Sequence, residues 1–254
     1  SVQPGDVVVS MLPADLHQRV AELCLQGNAH FVCSSYLSPV MVTLDAEAKA
    51  KGLRFVSEVG LDPGIDHLMA HALMADYQAS GLMNPTHEHR FRSYCGGFPS
   101  TPNDFRYKFS WSPLGVLRAL KTPARWIENG AEATTEKPWQ ALSSHTVNLP
   151  GGEETFQAYP NRDSIPFTEP YGFSPEFNLQ AFVRGTLRLD GWAEAWQEIF
   201  AVVDSSATGE DELKLLSDSL WKRHAYDPDE SDRVILHVEM TVIEGDNPVW
   251  SGAF

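Results

Sequence analysis

Three apolar runs separated by two helical patterns constrain the fold of this chain more than any other feature of its sequence. The runs are residues 6–12, 30–34 and 53–59, and the helical patterns between them cover about residues 16–27 and 38–52. The first run, DVVVSML, is largely apolar, as expected for a strand covered on both faces. The order is therefore βαβαβ, which predicts a parallel sheet with right-handed crossovers.

Residue types at the ends of these patterns predict where the two helices begin and end. An apolar i, i+4, i+7 pattern starts at Leu16, and Gly27 stands where a C-cap glycine is expected. Ser38 is the predicted N-cap of the second helix, and Pro39 suits its first turn. Gly52 is placed to end that helix before the third strand.

The run of residues 60–67 (GLDPGIDH) follows the third strand and predicts a rigid turn into a further helix. Pro63 restricts φ, Gly64 permits a conformation closed to residues with a Cβ, and Asp66 can cap a helix that begins near His67. Asp62 would then be presented at the carboxyl end of a parallel strand, where open α/β sheets bind ligands. A well-capped turn without a ligand explains the same spacing, so both interpretations remain open.

A dinucleotide-binding sheet normally opens with a strand that leads into G-x-G-x-x-G, and this glycine pattern does not occur in the 254 residues. Either the fold does not bind nucleotides or the sequence starts after that motif. The first residues (SVQPGD) are polar and contain no methionine, which favours the second interpretation. We therefore expect the chain to be a fragment of a longer enzyme.

Composition excludes two classes of partner. The formal net charge of −15 argues against nucleic acid, because phosphate binding needs clustered Lys and Arg. No run approaches the roughly 18 apolar residues of a membrane span. With 43% hydrophobic residues the chain is typical of a globular protein, and we expect a cytoplasmic location.

The cysteines and the paired histidines do not predict a metal site. The three cysteines lack C-x-x-C spacing, and Cys24 and Cys33 lie in apolar patterns typical of a core. His67 and His71 are one helical turn apart, but their neighbours Leu68 and Leu73 indicate a packed helix. No metal ligand is assigned from the sequence.

The remaining sequence predicts more strands than helices. A helix over residues 67–79 is followed by alternating or β-rich runs, one of which contains the hairpin signal Glu128-Asn129-Gly130. Such strands pair in an antiparallel or mixed sheet. The predicted strands are residues 87–94, 105–111, 124–135 (a hairpin), 154–159, 182–189, 234–243 and 249–254, and the predicted amphipathic helices are residues 192–203 and 212–224.

Seven short motifs in the same order make the chain resemble one family, the NADP-dependent, L-glutamate-forming saccharopine dehydrogenases, also called saccharopine reductases. Together they spread over about 180 residues, which is far more specific than any single motif. They are residues 6–10 (DVVVS), 34–36 (SSY), 58–67 (EVGLDPGIDH), 93–97 (SYCGG), 107–112 (YKFSWS), 159–164 (YPNRDS) and 184–188 (RGTLR).

The resemblance implies an α/β fold in two parts. Residues 1–63 would be the C-terminal part of a Rossmann parallel sheet, and residues 64–254 an α+β substrate-binding and dimerisation domain with a mixed sheet. A helical insertion in that domain would be reduced to about residues 191–224. The family's phosphate-binding glycines have no counterpart in these 254 residues, so we expect the isolated chain to bind NADPH weakly and to be inactive.

The resemblance also implies an activity in lysine metabolism. These enzymes interconvert saccharopine with L-glutamate and 2-aminoadipate 6-semialdehyde, with NADP(H) as cofactor, and they act as homodimers on small molecules. Saccharopine carries three carboxylates, so its site needs fixed cations, and arginine is suited to bidentate carboxylate recognition. Arg162 and Arg188 stand in family motifs, whereas a lone arginine elsewhere would usually be a solvated surface residue.

Site residues follow from the resemblance, motif by motif. The residues that would contact substrate are Ser35, Tyr36, Asp62, Arg162, Thr186, Leu187 and Arg188. The residues that would contact NADP are Leu12, Ser34, Ser35, Leu61, Asp62, Pro63 and Ser112. Candidates for proton transfer near the reacting nitrogen are Asp62, Tyr36 and Cys95, each expected just past the end of a strand. From the residues alone, Tyr36 is equally well a packed aromatic, and Cys95 a small residue before two glycines.

Two other functions stay open at this point. One is a related enzyme that reduces a different imine, such as a carboxynorspermidine or lysine 6-dehydrogenase, although Arg162 and Arg188 together favour a product with several carboxylates. The other is a non-catalytic module that retains only substrate binding or dimerisation.

Overall fold

The computed structural model describes residues 2–254 and divides the chain into two compact units, Ser1–Met69 and Ala70–Phe254. Each unit is described by itself. Among the described residues no helix has the length and apolar character needed to cross a membrane.

Unit 1 is built on a three-stranded parallel sheet, which confirms the predicted βαβαβ order. The strands β1 (Val7–Ser10), β2 (His30–Cys33) and β3 (Phe55–Val56) lie in the order β1-β2-β3. The third strand is much shorter than the predicted residues 53–59, since only Phe55 and Val56 pair with β2. Beyond it, Glu58 has a left-handed φ of 62°, which interrupts the extended backbone before Val59.

The helices of unit 1 begin where expected but end differently. In α1 (His17–Gly27), Gly27 remains helical and Asn28 takes the left-handed C-cap position with φ 53°, so the predicted glycine cap is wrong. Asn28 tolerates this conformation because its short polar side chain bonds locally. The Ser38 hydroxyl accepts the N–H of Met41 at 3.3 Å, which confirms the N-cap. Beyond it, the single helix expected is two, α2 (Pro39–Thr43) and α3 (Asp45–Ala50).

The core of unit 1 lies between α1 and the sheet. Phe31 on β2 is fully buried and contacts Phe55 on β3 and the His17 ring on α1. Cys24 and Cys33 are buried there as free thiols, as predicted, and burial raises the pKa of Cys24. Desolvation disfavours the Cys24 thiolate. Both cysteines lie in the apolar cluster and contribute to its packing.

The helix after the turn, α4 (Ile65–Ala79), runs across the boundary between the two units and begins two residues earlier than expected. Asp66 is therefore its second residue and not its N-cap. The buried Asp66 carboxylate instead accepts the N–H of Gly64 at 2.6 Å, back in the turn.

Unit 2 is built on an eight-stranded mixed sheet, as predicted. Its order is β11-β10-β4-β9-β5-β6, and β8 joins β9 to β7. Only the pair β4 and β9 is parallel among the ladders of this sheet in residues 2–254. The strands are β4 (Glu88–Pro99), β5 (Ala124–Glu128), β6 (Ala131–Thr135), β7 (Ser143–Leu149), β8 (Gly152–Pro160), β9 (Asn178–Arg188), β10 (Asp232–Glu244) and β11 (Asn247–Ala253).

One strand prediction in unit 2 is confirmed in detail, one is wrong, and one strand was missed. Asn129 and Gly130, with φ of 52° and 73°, form the expected two-residue turn between β5 and β6. Residues 105–111 are not a strand, because Arg106 has φ 55° and Tyr107 and Phe109 pack into an aromatic cluster. The strand β7 was not predicted, since its sequence SSHTVNL is mostly polar.

The helices of unit 2 follow the predicted segments with one break. They are α5 (Pro113–Lys121), α6 (Trp192–Ala195), α7 (Gln197–Asp204) and α8 (Glu210–His224). The helix predicted over residues 192–203 is interrupted at Trp196, whose indole N–H donates to the carbonyl of Phe105 at 3.1 Å. Trp192 and Trp196 are both fully buried, so the break allows two large rings to pack in one cluster.

Candidate functional site

The predicted site residues of unit 1 lie beyond the carboxyl ends of β2 and β3. Ser34, Ser35 and Tyr36 follow β2 directly, with Ser34 exposed and the other two half-buried. The Tyr36 hydroxyl donates to Oδ1 of Asp62 at 2.9 Å. The structure thus brings together two of the three candidates for proton transfer, and the third, Cys95, belongs to unit 2.

The turn that carries Asp62 is fixed by its own backbone. The N–H of Gly60 donates to the carbonyl of Pro63 at 2.9 Å, and the N–H of Ile65 donates to the carbonyl of Gly60 at 3.0 Å. Gly64 has φ 148°, and a Cβ there would overlap the backbone of Gly60. The predicted need for glycine at this position is confirmed, and the Asp62–Pro63 peptide is cis.

A histidine that the sequence analysis did not single out supports this end of the sheet. His17, only 5% exposed, contacts the Ser10 hydroxyl through Nδ1 and the Ser35 hydroxyl through Nε2, both at 2.9 Å. Burial lowers the pKa of His17, and the nearby charge of Asp15 opposes that shift. The imidazole therefore stays neutral near pH 7 and holds the Ser35 hydroxyl in place.

The other cofactor candidates of unit 1 differ in exposure. Leu12, just past β1, is 50% exposed, Leu61 is half-buried and Pro63 is buried. Nearby, Glu58 accepts the N–H of Leu37 at 2.9 Å and lies 3.1 Å from Nε2 of His67. His67, considered above as a metal ligand, is in contact with that carboxylate. His71 lies exposed in unit 2 with its ring against Tyr171.

In unit 2, strand register places three of the predicted residues on one face of the mixed sheet. Cys95 on β4 is paired with Thr186 on β9, and Thr186 is paired with Tyr159 on β8. Arg188, two residues after Thr186, points to the same face. We refer to this side of the sheet, which carries Cys95, Thr186, Arg188 and Tyr159, as the arginine face.

Cys95 does not lie beyond the end of its strand, so that expectation is wrong. The strand β4 continues through Gly96 and Gly97 to Pro99. It continues because Gly96 brings the backbone of β4 close to β9, where a Cβ would come within 2.6 Å of the carbonyl oxygen of Leu187. The half-buried Cys95 thiol is held within the sheet next to Thr186.

Arg188 is a buried cation enclosed by aromatic rings. It is 7% exposed, and its guanidinium carbon lies 4.8 Å from the ring centre of Tyr107, 5.3 Å from that of Trp192 and 5.6 Å from that of Tyr159. Its Nη1 donates to the carbonyl of Leu187 at 3.4 Å, whereas its Nε has no hydrogen-bond partner among residues 2–254. Cation–π contacts stabilise such a charge without neutralising it.

The Tyr159 hydroxyl links the two polar side chains of the arginine face. Burial raises its pKa, while its contacts with Arg188 and Thr186 act in the opposite direction. Tyr159 therefore stays protonated near neutral pH and orients its neighbours through hydrogen bonds. Tyr107, Tyr159 and Trp192 are residues that the sequence analysis missed as parts of the site, although two of them lie in the quoted motifs.

The remaining predicted residues lie apart from that cluster. Arg162 is exposed, two residues beyond β8, with a left-handed φ of 59° and a carbonyl that accepts the N–H of Arg125 at 2.9 Å. Leu187 is fully buried on the opposite face of the sheet, so only its backbone faces the arginine side. Ser112 is the N-cap of α5 and accepts the N–H of Gly115 at 3.2 Å.

Comparison with known proteins matches both units to one family. The model for the saccharopine dehydrogenase C-terminal domain matches residues 60–248, and the model for the saccharopine dehydrogenase NADP binding domain matches residues 1–56. The chain belongs to the saccharopine dehydrogenase family. The resemblance drawn from seven motifs is thereby confirmed.

Curated relatives and a solved structure agree with the family. The chain is 38% identical over 226 residues to the saccharopine dehydrogenase [NADP(+), L-glutamate-forming] of Pyricularia oryzae, covering 87% of this chain and 48% of that protein. It is 38% identical over 199 residues to the mitochondrial alpha-aminoadipic semialdehyde synthase of Mus musculus, covering 76% of this chain and 20% of that protein. The chain thus spans about half the length, or less, of these relatives.

A solved structure of the apo, histidine-tagged saccharopine dehydrogenase (L-Glu forming) of Saccharomyces cerevisiae matches with a TM-score of 0.71 at 27% identity. The match covers 93% of this chain and 67% of that one. The α/β fold predicted from sequence, with a parallel sheet followed by a mixed sheet, is therefore confirmed.

Proposed function

We propose that this chain forms part of an NADP-dependent oxidoreductase of lysine metabolism, and that the substrate is saccharopine, formed from L-glutamate and 2-aminoadipate 6-semialdehyde. The observation that carries the proposal is Arg188, a buried guanidinium whose Nε has no partner among the described residues. A multi-carboxylate substrate supplies the anion that such a group lacks, and Thr186 adds a hydroxyl on the same face.

Unit 1 offers groups that fit the nicotinamide half of NADP. Hydroxyls of Ser34 and Ser35 beyond β2, and the apolar side chains of Leu12 beyond β1 and Leu61 beyond β3, suit a ribose and a nicotinamide ring better than a phosphate. NADP, when bound, supplies or accepts the hydride. The role proposed for this chain's residues is to orient the ring and to hold Asp62 in place through the Gly60–Gly64 turn.

The proposed roles of the protein side chains near the reacting nitrogen concern protons and charge. Asp62, hydrogen-bonded by Tyr36, can accept a proton or balance the positive charge of an imine. The Cys95 thiol, next to Thr186 on the arginine face, is proposed to line the substrate site, and no further role is assigned to it. Arg162 is proposed as a second carboxylate contact from its exposed position beyond β8.

We expect Asp62→Asn to lower turnover about 100-fold in the natural protein that contains this sequence. The amide keeps the shape and the hydrogen bond from Tyr36 but removes both the charge and the ability to accept a proton. Steady-state rates with saccharopine and NADP, at several pH values, measure the effect. The matched control is Asp45→Asn, which removes an exposed carboxylate paired with Lys49 at 2.8 Å in the same unit. Wild-type turnover in Asp62→Asn would remove this carboxylate from the mechanism.

The proposal as a whole is tested by saccharopine-dependent reduction of NADP. We expect activity in the natural protein, and little in the 254 residues alone, since these contain no G-x-G-x-x-G motif. The substrates of the related imine-reducing enzymes are assayed in parallel. A higher rate with one of them would identify it, instead of saccharopine, as the substrate. Saccharopine binding without turnover in the natural protein would favour a non-catalytic module.

Two further parts of the proposal concern assembly and location. A homodimer through unit 2 is proposed from the family resemblance, and the molecular mass in solution tests it. We also propose a cytoplasmic location. The alternative is a mitochondrial location, since some relatives are named as mitochondrial proteins. Fractionation of the source cells distinguishes the two locations.

A further inference from the structure

The face of the mixed sheet opposite the arginine face carries a second polar cluster. Arg92 and Tyr94 on β4 are paired with Glu239 and His237 on β10, and His145 approaches from β7. These side chains alternate with Cys95 and Ser93, so they point away from the proposed substrate. A cleft of about 530 Å³ is lined by Arg92, Tyr94 and His145, so the His145 side of the cluster faces this cleft.

Two histidines and a carboxylate in this cluster have the spacing of metal ligands. Nε2 of His145 and Nδ1 of His237 lie 3.0 Å apart. One nitrogen of each ring and one carboxylate oxygen of Glu239 all lie within 4.8 Å of one another. Two ligand atoms that each lie about 2.0 to 2.1 Å from one tetrahedral zinc ion are about 3.3 Å apart from each other. A small movement of the Glu239 side chain would place all three donors around one ion.

The charges around the cluster favour neutral imidazoles. Burial lowers the pKa of His145 to about 4, and it also lowers the pKa of His237. The charge of Glu239 opposes the shift in both rings. His237 and Arg92 lower the pKa of His145 further. Arg92 donates to Oε1 of Glu239 at 3.3 Å, which leaves the second carboxylate oxygen for a ligand.

We propose that His145, His237 and Glu239 bind a divalent transition-metal ion of the zinc type. Two imidazoles and one carboxylate leave a fourth position for water, and Arg92 remains as the outer partner that orients the carboxylate. Metal binding replaces the hydrogen bond between the two histidines. The N–H proton of the donor ring moves to the other nitrogen of that same ring. The two facing nitrogens then each offer a lone pair to the ion. No net proton is released.

Such an ion would link parts of the sheet that are distant along the chain. His145 lies on the β7–β8 hairpin and His237 on β10, 92 residues later. The ladder from β10 to β7 passes through β4, β9 and β8. The ion would therefore fasten the hairpin across the face of the sheet, with a stabilising role that is separate from hydride transfer. No sequence pattern indicates this site, since the two histidines are in no common motif.

Titration of the metal-free natural protein with Zn²⁺ alone, followed by calorimetry, tests the proposal. We expect one ion per chain and a higher unfolding temperature when Zn²⁺ is present. His145→Ala and His237→Ala should each weaken binding at least about 100-fold, and Glu239→Gln about 10-fold. His71→Ala, which removes an exposed histidine of the same unit, is the control and should bind Zn²⁺ as the wild type does.

The outcomes are separable from those of the proposed function. Equal Zn²⁺ affinity in wild type, His145→Ala and His237→Ala would overturn the site, as would no binding by the wild type. If an alanine variant unfolds, Glu239→Gln and X-ray absorption of the zinc-loaded wild type decide instead, because absorption must show two imidazole nitrogens at about 2.0 to 2.1 Å. Saccharopine turnover in these variants reports independently on the arginine face.

Discussion

We expect Gly64→Ala to destabilise the protein by about 3 to 5 kcal/mol, an effect reserved for specific structural violations. At φ 148° an alanine is strained, and its Cβ would lie 2.6 Å from the backbone nitrogen of Gly60 and closer still to the Gly60 carbonyl oxygen. Since both obstacles are backbone atoms, no side-chain rotation can relieve the overlap. Urea unfolding followed by circular dichroism measures the loss.

Gly52→Ala is the matched control within the same unit. Gly52 also has a positive φ, of 68°, but a Cβ there meets nothing within 4 Å. Its substitution adds only backbone strain, about 1 to 2 kcal/mol. Equal losses of unfolding free energy in the two variants would show that the close approach of Gly60 and Gly64 is unimportant. The turn would then tolerate a larger separation of these two backbone segments than the structure shows.

This turn also shows why part of the fold could be predicted from sequence. Pro63 and Gly64 restrict the backbone locally, and the Asn129-Gly130 hairpin is specified by two adjacent residues in the same way. The parallel sheet of unit 1 could be predicted because its apolar runs are short and separated by helices with recognisable starts. In each case the decisive physical signal lies within a few residues of the element it defines.

The wrong predictions share the opposite property, because distant contacts decide them. Residues 105–111 alternate like a strand, yet Tyr107 and Phe109 pack against Trp196, about 90 residues later. The strand β4 continues past Cys95 because Gly96 lies against the backbone of β9. Neither tertiary contact is visible in a local pattern, so propensity alone places these boundaries incorrectly.

For the candidate sites the same distinction holds. Family motifs were sufficient to select Arg188 and Thr186, but the rings around the guanidinium come from Tyr107, Tyr159 and Trp192, which lie on three separate segments. The His17 bridge to Ser35 and the pair of His145 with His237 also join distant positions. Such clusters require the register of the folded sheet, which the sequence analysis did not contain.

We expect Arg188→Met to weaken saccharopine binding at least about 30-fold while leaving the stability of the protein unchanged or slightly raised. Loss of a buried, charge-assisted contact with a carboxylate costs about 2 to 5 kcal/mol of binding. In the absence of substrate, however, Arg188 is a buried cation with an unsatisfied Nε, and a methionine of similar length can pack against Tyr107 and Trp192. Calorimetric binding of saccharopine and thermal unfolding measure the two quantities.

The comparison with Arg233→Met separates recognition of substrate from ordinary stabilisation. Arg233 also lies over two rings, those of Phe98 and Phe156, and its Nε likewise has no partner among residues 2–254. It differs from Arg188 in donating to both carboxylate oxygens of Glu154, at 2.8 and 2.6 Å. Its loss leaves Glu154 without that cation, so this variant should lose stability and keep its affinity for saccharopine. If Arg188→Met behaves in the same way as Arg233→Met, the aromatic enclosure of Arg188 serves folding, and the carboxylates of the substrate must be bound elsewhere. If only Arg188→Met loses affinity, the chain has kept a cation at a cost to its own stability, which is expected where the missing anion is the substrate.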